Sequence, residues 1–201
     1  MDISVEQIKK LREATGSGIL DVKEALQEAE GDFDKAVDYL RQKGLAKAAK
    51  RSDREASEGT IELYSHGNGR VGVMVEVNCE TDFVARSDDF LEFAHEIALQ
   101  IAASSPQWID QEQIPEEVLE REKEIARKRY QDEGKPDHII DRILDGMIEK
   151  FQKENCLMDQ AYIRDEEITI RELLHENIAS IGENIVIRRF ERWERGESIP
   201  D

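Results

Sequence analysis

Val71, Val73, Val75 and Val77 alternate with Gly72, Met74, Glu76 and Asn78. A period of two with one side entirely valine marks a β-strand that buries a single face. Upstream, Thr60-Ile61-Glu62-Leu63-Tyr64 alternates in the same way. Between the two, Gly67-Asn68-Gly69 supplies residues that tolerate positive φ in a tight turn. The pattern predicts a β-hairpin. Asn184-Ile185-Val186-Ile187-Arg188-Arg189-Phe190-Glu191-Arg192-Trp193 reads as a third strand that pairs with it. The fold class is therefore α+β: a small antiparallel sheet of about three strands packed against helices.

The first 44 residues read as three short helices. Ser4 and Gln7 form a capping box, and Val5, Ile8 and Leu11 recur on one face. Gly16 suits a left-handed helix end, and Ser17 is placed to cap the next helix. Val22, Ala25, Leu26 and Ala29 follow at helical spacing, as do Phe33, Ala36, Val37 and Leu40 until Gly44 stops the stripe. Such a bundle is close to the lower size limit for independent stability. Basic, alanine-rich Leu45–Arg51 reads as a helical linker ending near Gly59, with a domain boundary at about residue 54. The expected domains are 1–54 and 55–201.

After the hairpin, Ser87 precedes a helix with Phe90, Phe93, Ala94, Ile97, Ala98 and Ile101 on one face. Pro115 opens a helix with Val118, Leu119, Ile125 and Ala126 inside. Gly134-Lys135-Pro136 restarts the chain into a helix carrying Ile139, Ile140, Ile143, Leu144, Met147, Ile148 and Phe151. Thr169 and Glu172 make a second capping box ahead of Ile170, Leu173, Leu174 and Ile178. Only helices are expected between Phe151 and the last strand.

Charge narrows the partners. The net charge is −18, yet residues 1–54 hold 11 basic and 11 acidic side chains, so the excess lies wholly in residues 55–201. A body that acidic repels phosphate backbones and favours protein partners over nucleic acid. No apolar run reaches the roughly 18 residues that span a bilayer. Met1-Asp2-Ile3-Ser4-Val5-Glu6 lacks the basic and apolar regions of a leader, so a cytoplasmic location is expected. Cys79 and Cys156 fit a reducing compartment as two buried thiols.

The usual marks of catalysis are missing. Neither a GxxxxGK[ST] nor a GxGxxG string occurs, and His66, His95, His138 and His175 are dispersed without metal spacing. No cofactor, metal or catalytic residue is expected, and the chain is not read as an enzyme. A pair of acidic side chains brought together by the fold, as in a hydrolase, remains an alternative.

One loop stands out, Cys79-Glu80-Thr81-Asp82-Phe83-Val84-Ala85-Arg86, between the valine strand and the helix after Ser87. It sets a large apolar side chain beside an acid and closes on a base. By residue type Phe83 either packs beneath the following helix or stands exposed as a contact.

Two stretches carry a resemblance. Leu11-Arg12-Glu13-Ala14-Thr15-Gly16-Ser17-Gly18-Ile19-Leu20-Asp21-Val22-Lys23-Glu24-Ala25-Leu26 resembles the first signature of the translation elongation factor Ts family, and Glu80–Arg86 is similar to its second. Gly134-Lys135-Pro136, the segment 151–162 and Val186–Phe190 are similar too, so the likeness runs along nearly the whole chain in order. Two departures are mild: Ser17 stands where the family usually has Ala, and Ile19 where it has Met. A third is length, because longer members carry a second sheet-bearing half and a coiled-coil insertion.

The resemblance implies a nucleotide exchange factor for the GTPase elongation factor Tu. Residues 1–54 would be a ubiquitin-associated-like module docking through Arg12, Thr15, Gly16, Gly18, Ile19, Leu20, Asp21 and Lys23. Thr81, Asp82, Phe83 and Val84 match the string associated with displacing Mg²⁺ from the GTPase. A homodimer acting on two GTPases is expected to replace the missing half. The competing reading is a general adaptor whose helical module binds unrelated proteins, with the core as a dimerisation unit.

Overall fold

The structure, a computed structural model, describes residues 3–198. Met1 and Asp2, the first two residues of the stretch read as lacking a leader, lie outside them. Seven α-helices and five strands occur among the described residues. The fold is α+β. β1 (Glu58–His66), β2 (Val71–Cys79) and β5 (Ile185–Glu194) form a three-stranded antiparallel sheet in the order β1-β2-β5. The hairpin turn is as the sequence predicts: Gly67, Asn68 and Gly69 all have positive φ, and Arg70 N–H closes it on His66 O at 2.9 Å. Val71, Val73, Val75 and Val77 are buried. The alternating apolar residues of β1 point the other way, and both Ile61 and Leu63 are exposed.

The chain divides into two compact units. The first comprises residues 3–62, 76–96 and 172–188. It begins with α1 (Val5–Thr15), α2 (Ile19–Glu28) and α3 (Phe33–Ala49). Ser4 and Gln7 make the predicted capping box, with Gln7 N–H donating to Ser4 Oγ at 3.1 Å and Ser4 N–H to Gln7 Oε1 at 2.9 Å. Leu11, Val22, Ala25, Leu26, Ala29, Ala36 and Leu40 form one core cluster. At about 25 cal/mol per Å² of apolar surface, each larger side chain here contributes roughly 1.5–3 kcal/mol.

Three expectations fail in this bundle. Val5 is exposed rather than part of the stripe, while Ile3 and Ile8 on either side of it pack against the core. Ser17 does not cap α2. Its hydroxyl turns back to Thr15 O, and Gly18 takes the cap position without a side-chain bond. Gly44 does not end α3, which runs on to Ala49 and absorbs most of the predicted linker helix. Gly44 is buried, and a Cβ there would meet Ala179 Cβ at 3.5 Å. The helix costs about 1 kcal/mol at a glycine, which the burial of Leu40 and Ala48 on the same helix face outweighs. Turns at 50–54 then lead to β1.

The 12-residue helix α7 (Ile170–Ile181) buries Ile170, Leu174 and Ile178, and its first-unit part is tied to the bundle. Arg41 pairs with Glu172 at 2.6 Å, Ser180 Oγ donates to Gly16 O at 3.2 Å, and Arg51 Nη1 to Ile178 O at 3.4 Å. α4 (Asp88–Ser104) buries all six predicted residues from Phe90 to Ile101. His95 and Glu62 join α4 to β1 at 2.8 Å.

The second unit comprises residues 63–75, 97–171 and 189–198. α5 (Glu116–Asp132) and α6 (Asp137–Asn155) form a helical hairpin around Ala126, Ile140 and Leu144. Pro115 stands just outside α5 as its cap rather than in its first turn. Ile125 and Ile139 are exposed: a hairpin of two helices has one shared seam, too narrow to take every apolar residue of the pattern. β3 (Ala161–Tyr162) and β4 (Asp165–Thr169) make a second, two-stranded sheet where only helices are expected. Its Asp165-Glu166-Glu167 run lacks apolar alternation, and its pairing rests on backbone bonds. Gln100 is fully buried nearby, and its amide is satisfied by Ser104, Gln160, Ala161 O and Ile163 N–H, as a buried polar group requires.

Candidate functional site

The loop leaves β2 at Cys79, which is fully buried and donates its thiol to Thr81 O at 3.3 Å. Burial, with Glu183 nearby, pushes this thiol up to about 11, so it stays protonated and inert. Thr81 then starts a tight turn: its carbonyl accepts from Ala85 N–H at 3.1 Å and its hydroxyl from Val84 N–H at 3.3 Å. Val84–Arg86 is one turn of 3₁₀ helix. Ser87 closes it, its N–H and hydroxyl both donating to Val84 O at 2.9 and 2.8 Å, and its Oγ accepting from Phe90 N–H at the start of α4.

This turn turns Phe83 outward. Its ring is 82% exposed, while Phe90, at the head of the next helix, takes the core position. Of the two sequence readings, the exposed contact is the one observed. Asp82 pairs with Arg86 at 3.0 Å, an exposed pair worth about 0–1 kcal/mol. Thr81 and Val84 hold the turn in shape. The four sequence-predicted loop residues are thus together, with three shaping the turn and Phe83 at its tip.

The residue that sequence reasoning misses is Glu183. Its carboxylate accepts from Glu80 N–H at 3.1 Å, Thr81 N–H at 3.0 Å and Thr81 Oγ–H at 2.7 Å. Asn184 N–H in turn donates to Glu80 Oε1 at 2.7 Å. Gly182, with φ 91, turns the chain out of α7 so that Glu183 reaches back to the loop. The only local signal is an acid directly after a helix-ending glycine, which names no partner.

The first signature divides in two. Gly16 ends α1 with φ 63 and donates to Arg12 O at 2.9 Å, and Thr15 Oγ donates to Leu11 O at 2.8 Å. Gly18 begins α2. Asp21 is held by Lys43 at 3.0 Å and Lys47 at 2.7 Å, and its carboxyl sits below the ordinary range, chiefly through the Lys47 hydrogen bond. These four residues shape the joint. Arg12, Ile19, Leu20 and Lys23 instead face solvent, with Leu20 81% exposed. An exposed leucine and isoleucine flanked by two cations suit a protein contact more than a core. Among the described residues no group of three or more His, Cys, Asp or Glu could hold a metal ion, and no helix is long and apolar enough to cross a membrane.

The sequence was also compared with known proteins. The sequence profile of the family Elongation factor TS matches residues 7–177. The chain is 59% identical to Elongation factor Ts of Caldanaerobacter subterraneus subsp. tengcongensis, covering 98% of each chain. It is 57% identical to that of Thermoanaerobacter sp. (strain X514), over 98% of this chain and 97% of the relative. Elongation factor Ts of Fervidobacterium nodosum is 51% identical over 98% of this chain and 100% of its own length, so the short core is shared by its relatives. With both signatures in place, one shaping an exposed helical joint and the other an outward Phe83, the chain belongs to the elongation factor Ts family of translation elongation factors.

Proposed function

We propose that this protein is a guanine nucleotide exchange factor for elongation factor Tu, acting in the cytoplasm without covalent chemistry of its own. The observation that carries this reading is the exposure of Phe83 at the tip of a turn anchored on both sides. A GTPase grips its nucleotide through backbone amides, a P-loop lysine and Mg²⁺. A factor that binds the nucleotide-free form more tightly weakens GDP by the same factor, because coupling between two binding equilibria is reciprocal. Residues 1–54 dock through Arg12, Ile19, Leu20 and Lys23, shaped by Thr15, Gly16, Gly18 and Asp21. Residues 55–201 carry the loop, whose Phe83 inserts near the Mg²⁺ and phosphate site.

Asp82 does not serve as a captor of the metal. Its partner is Arg86, and one carboxylate is a poor Mg²⁺ site. It orders the turn and sets a negative charge near the phosphates. In stopped-flow release of fluorescent GDP from elongation factor Tu, micromolar amounts of this protein are expected to raise the rate at least tenfold. A rate unchanged at saturating protein would overturn the assignment.

The second unit supports a homodimer. Leu63 is 70% and Trp193 73% exposed, and with Met74 they line an open apolar groove of about 400 Å³ on the strands. A second copy of the chain covers this face and excludes water from it. Trp193→Asp is expected to convert a sedimenting dimer to monomer at micromolar concentration. A wild-type chain that sediments as monomer well above that concentration would remove the dimer.

A further inference from the structure

Resting on the exchange reading above, we propose that Glu183 is the positioning residue that sets the pose of Phe83 for nucleotide release. Three donors from two consecutive residues converge on its carboxylate, all from the base of the loop. Hydrogen bonds to an ionised acceptor are the strong ones. The contact crosses about a hundred residues of sequence, so no local turn propensity substitutes for it. Asn184 extends the joint in the other direction. Its side-chain amide donates to Arg54 O at 2.8 Å and Ser52 O at 3.4 Å, on the segment that leaves the docking helices. Arg54 also reaches Glu80 at 3.5 Å. Glu183 and Asn184 therefore grip the exit of the helical module and the root of the loop within one dipeptide. Free energy gained by docking reaches Phe83 only if that joint is stiff, since misplacing a reacting group by about 1 Å can cost a hundredfold.

The test is a double-mutant cycle on catalysed GDP release, read by stopped flow with elongation factor Tu and fluorescent GDP. Glu183→Ala is expected to slow release about tenfold, with Glu183→Gln between it and wild type because one acceptor oxygen survives. Glu183→Ala/Phe83→Ala is expected to be no slower than Phe83→Ala alone, since Glu183 acts through the ring. A merely structural loss would multiply with the Phe83 change instead, and that result overturns the proposal. Wild-type rates for Glu183→Ala beside slow Phe83→Ala also overturn it and leave the exchange reading standing, as do wild-type rates for Phe83→Ala, whereas GDP release unaccelerated by the wild-type protein defeats that reading itself. If Glu183→Ala does not fold, Glu183→Gln carries the test alone, since it leaves the Val84–Thr81 bond of the turn in place. About threefold slower release is then expected, and none overturns the proposal.

Discussion

Phe83→Ala is expected to slow catalysed GDP release from elongation factor Tu by about tenfold or more while leaving the melting temperature within a degree or two of wild type. The two halves of this result come from one fact, the 82% exposure of the ring. A side chain with so little contact in the free protein contributes almost nothing to its stability, so truncation opens no cavity. Buried against a partner, the same ring is worth about 1.5–3 kcal/mol, and each 1.4 kcal/mol is a factor of ten. The turn beneath it is made by Thr81, Val84 and Ser87 through backbone and hydroxyl bonds, none of which needs the ring. Stopped-flow release paired with thermal denaturation measures both halves. Wild-type exchange in the mutant would remove Phe83 from the mechanism, and a large fall in melting temperature would contradict its outward pose.

Gly59→Ala is expected to do the reverse and cost stability first. Gly59 lies in β1 with φ 143, where L residues are rare, and a Cβ there would stand 2.1 Å from Val77 O and 2.7 Å from Asn78 Cα. Neither atom can rotate away, because both are backbone of the neighbouring strand. Overpacking costs about 1–3 kcal/mol and the disfavoured backbone a similar amount. A combined loss of about 3 kcal/mol lowers the melting temperature of a chain this size by roughly 10 °C. The close approach serves the loop as well, since Asn78 donates to Glu58 O at 3.1 Å one residue before Cys79 begins the turn. Gly146→Ala in α6 is the control. Its Cβ would meet nothing within 4 Å, and a gain of about 1 kcal/mol is expected in a helix interior. Urea unfolding of the two variants beside wild type decides between clash and propensity.

Much of the fold was legible because its signals are local. The valines of β2, the Gly67-Asn68-Gly69 turn, the Ser4 capping box and the six buried residues of α4 each depend on neighbours within one or two turns of chain. The misreadings share a cause. Gly44 looks like a stop, but whether a glycine ends a helix depends on what packs beside it, and here that is Ala179 from far along the sequence. β3 and β4 pair through backbone groups that every residue carries, so two residues in β3 and an acidic run in β4 leave no pattern to read. Ile125 and Ile139 match helical spacing, yet one seam between two helices cannot take them.

The candidate site divides along the same line. The residue types of the loop, the family signatures and the left-handed helix end at Gly16 were determined by the sequence alone, because composition and order are all they require. Whether Phe83 entered the core was not, since a phenylalanine before an amphipathic helix satisfies either outcome. Tertiary structure decided it: Phe90 fills the buried place, the Thr81 turn aims Phe83 at solvent, and Glu183 fastens that turn from the far end of the chain. Periodicity reports how a residue sits on its own element. A carboxylate that reaches about a hundred residues back is set by how the elements are assembled, and only the assembled chain records it.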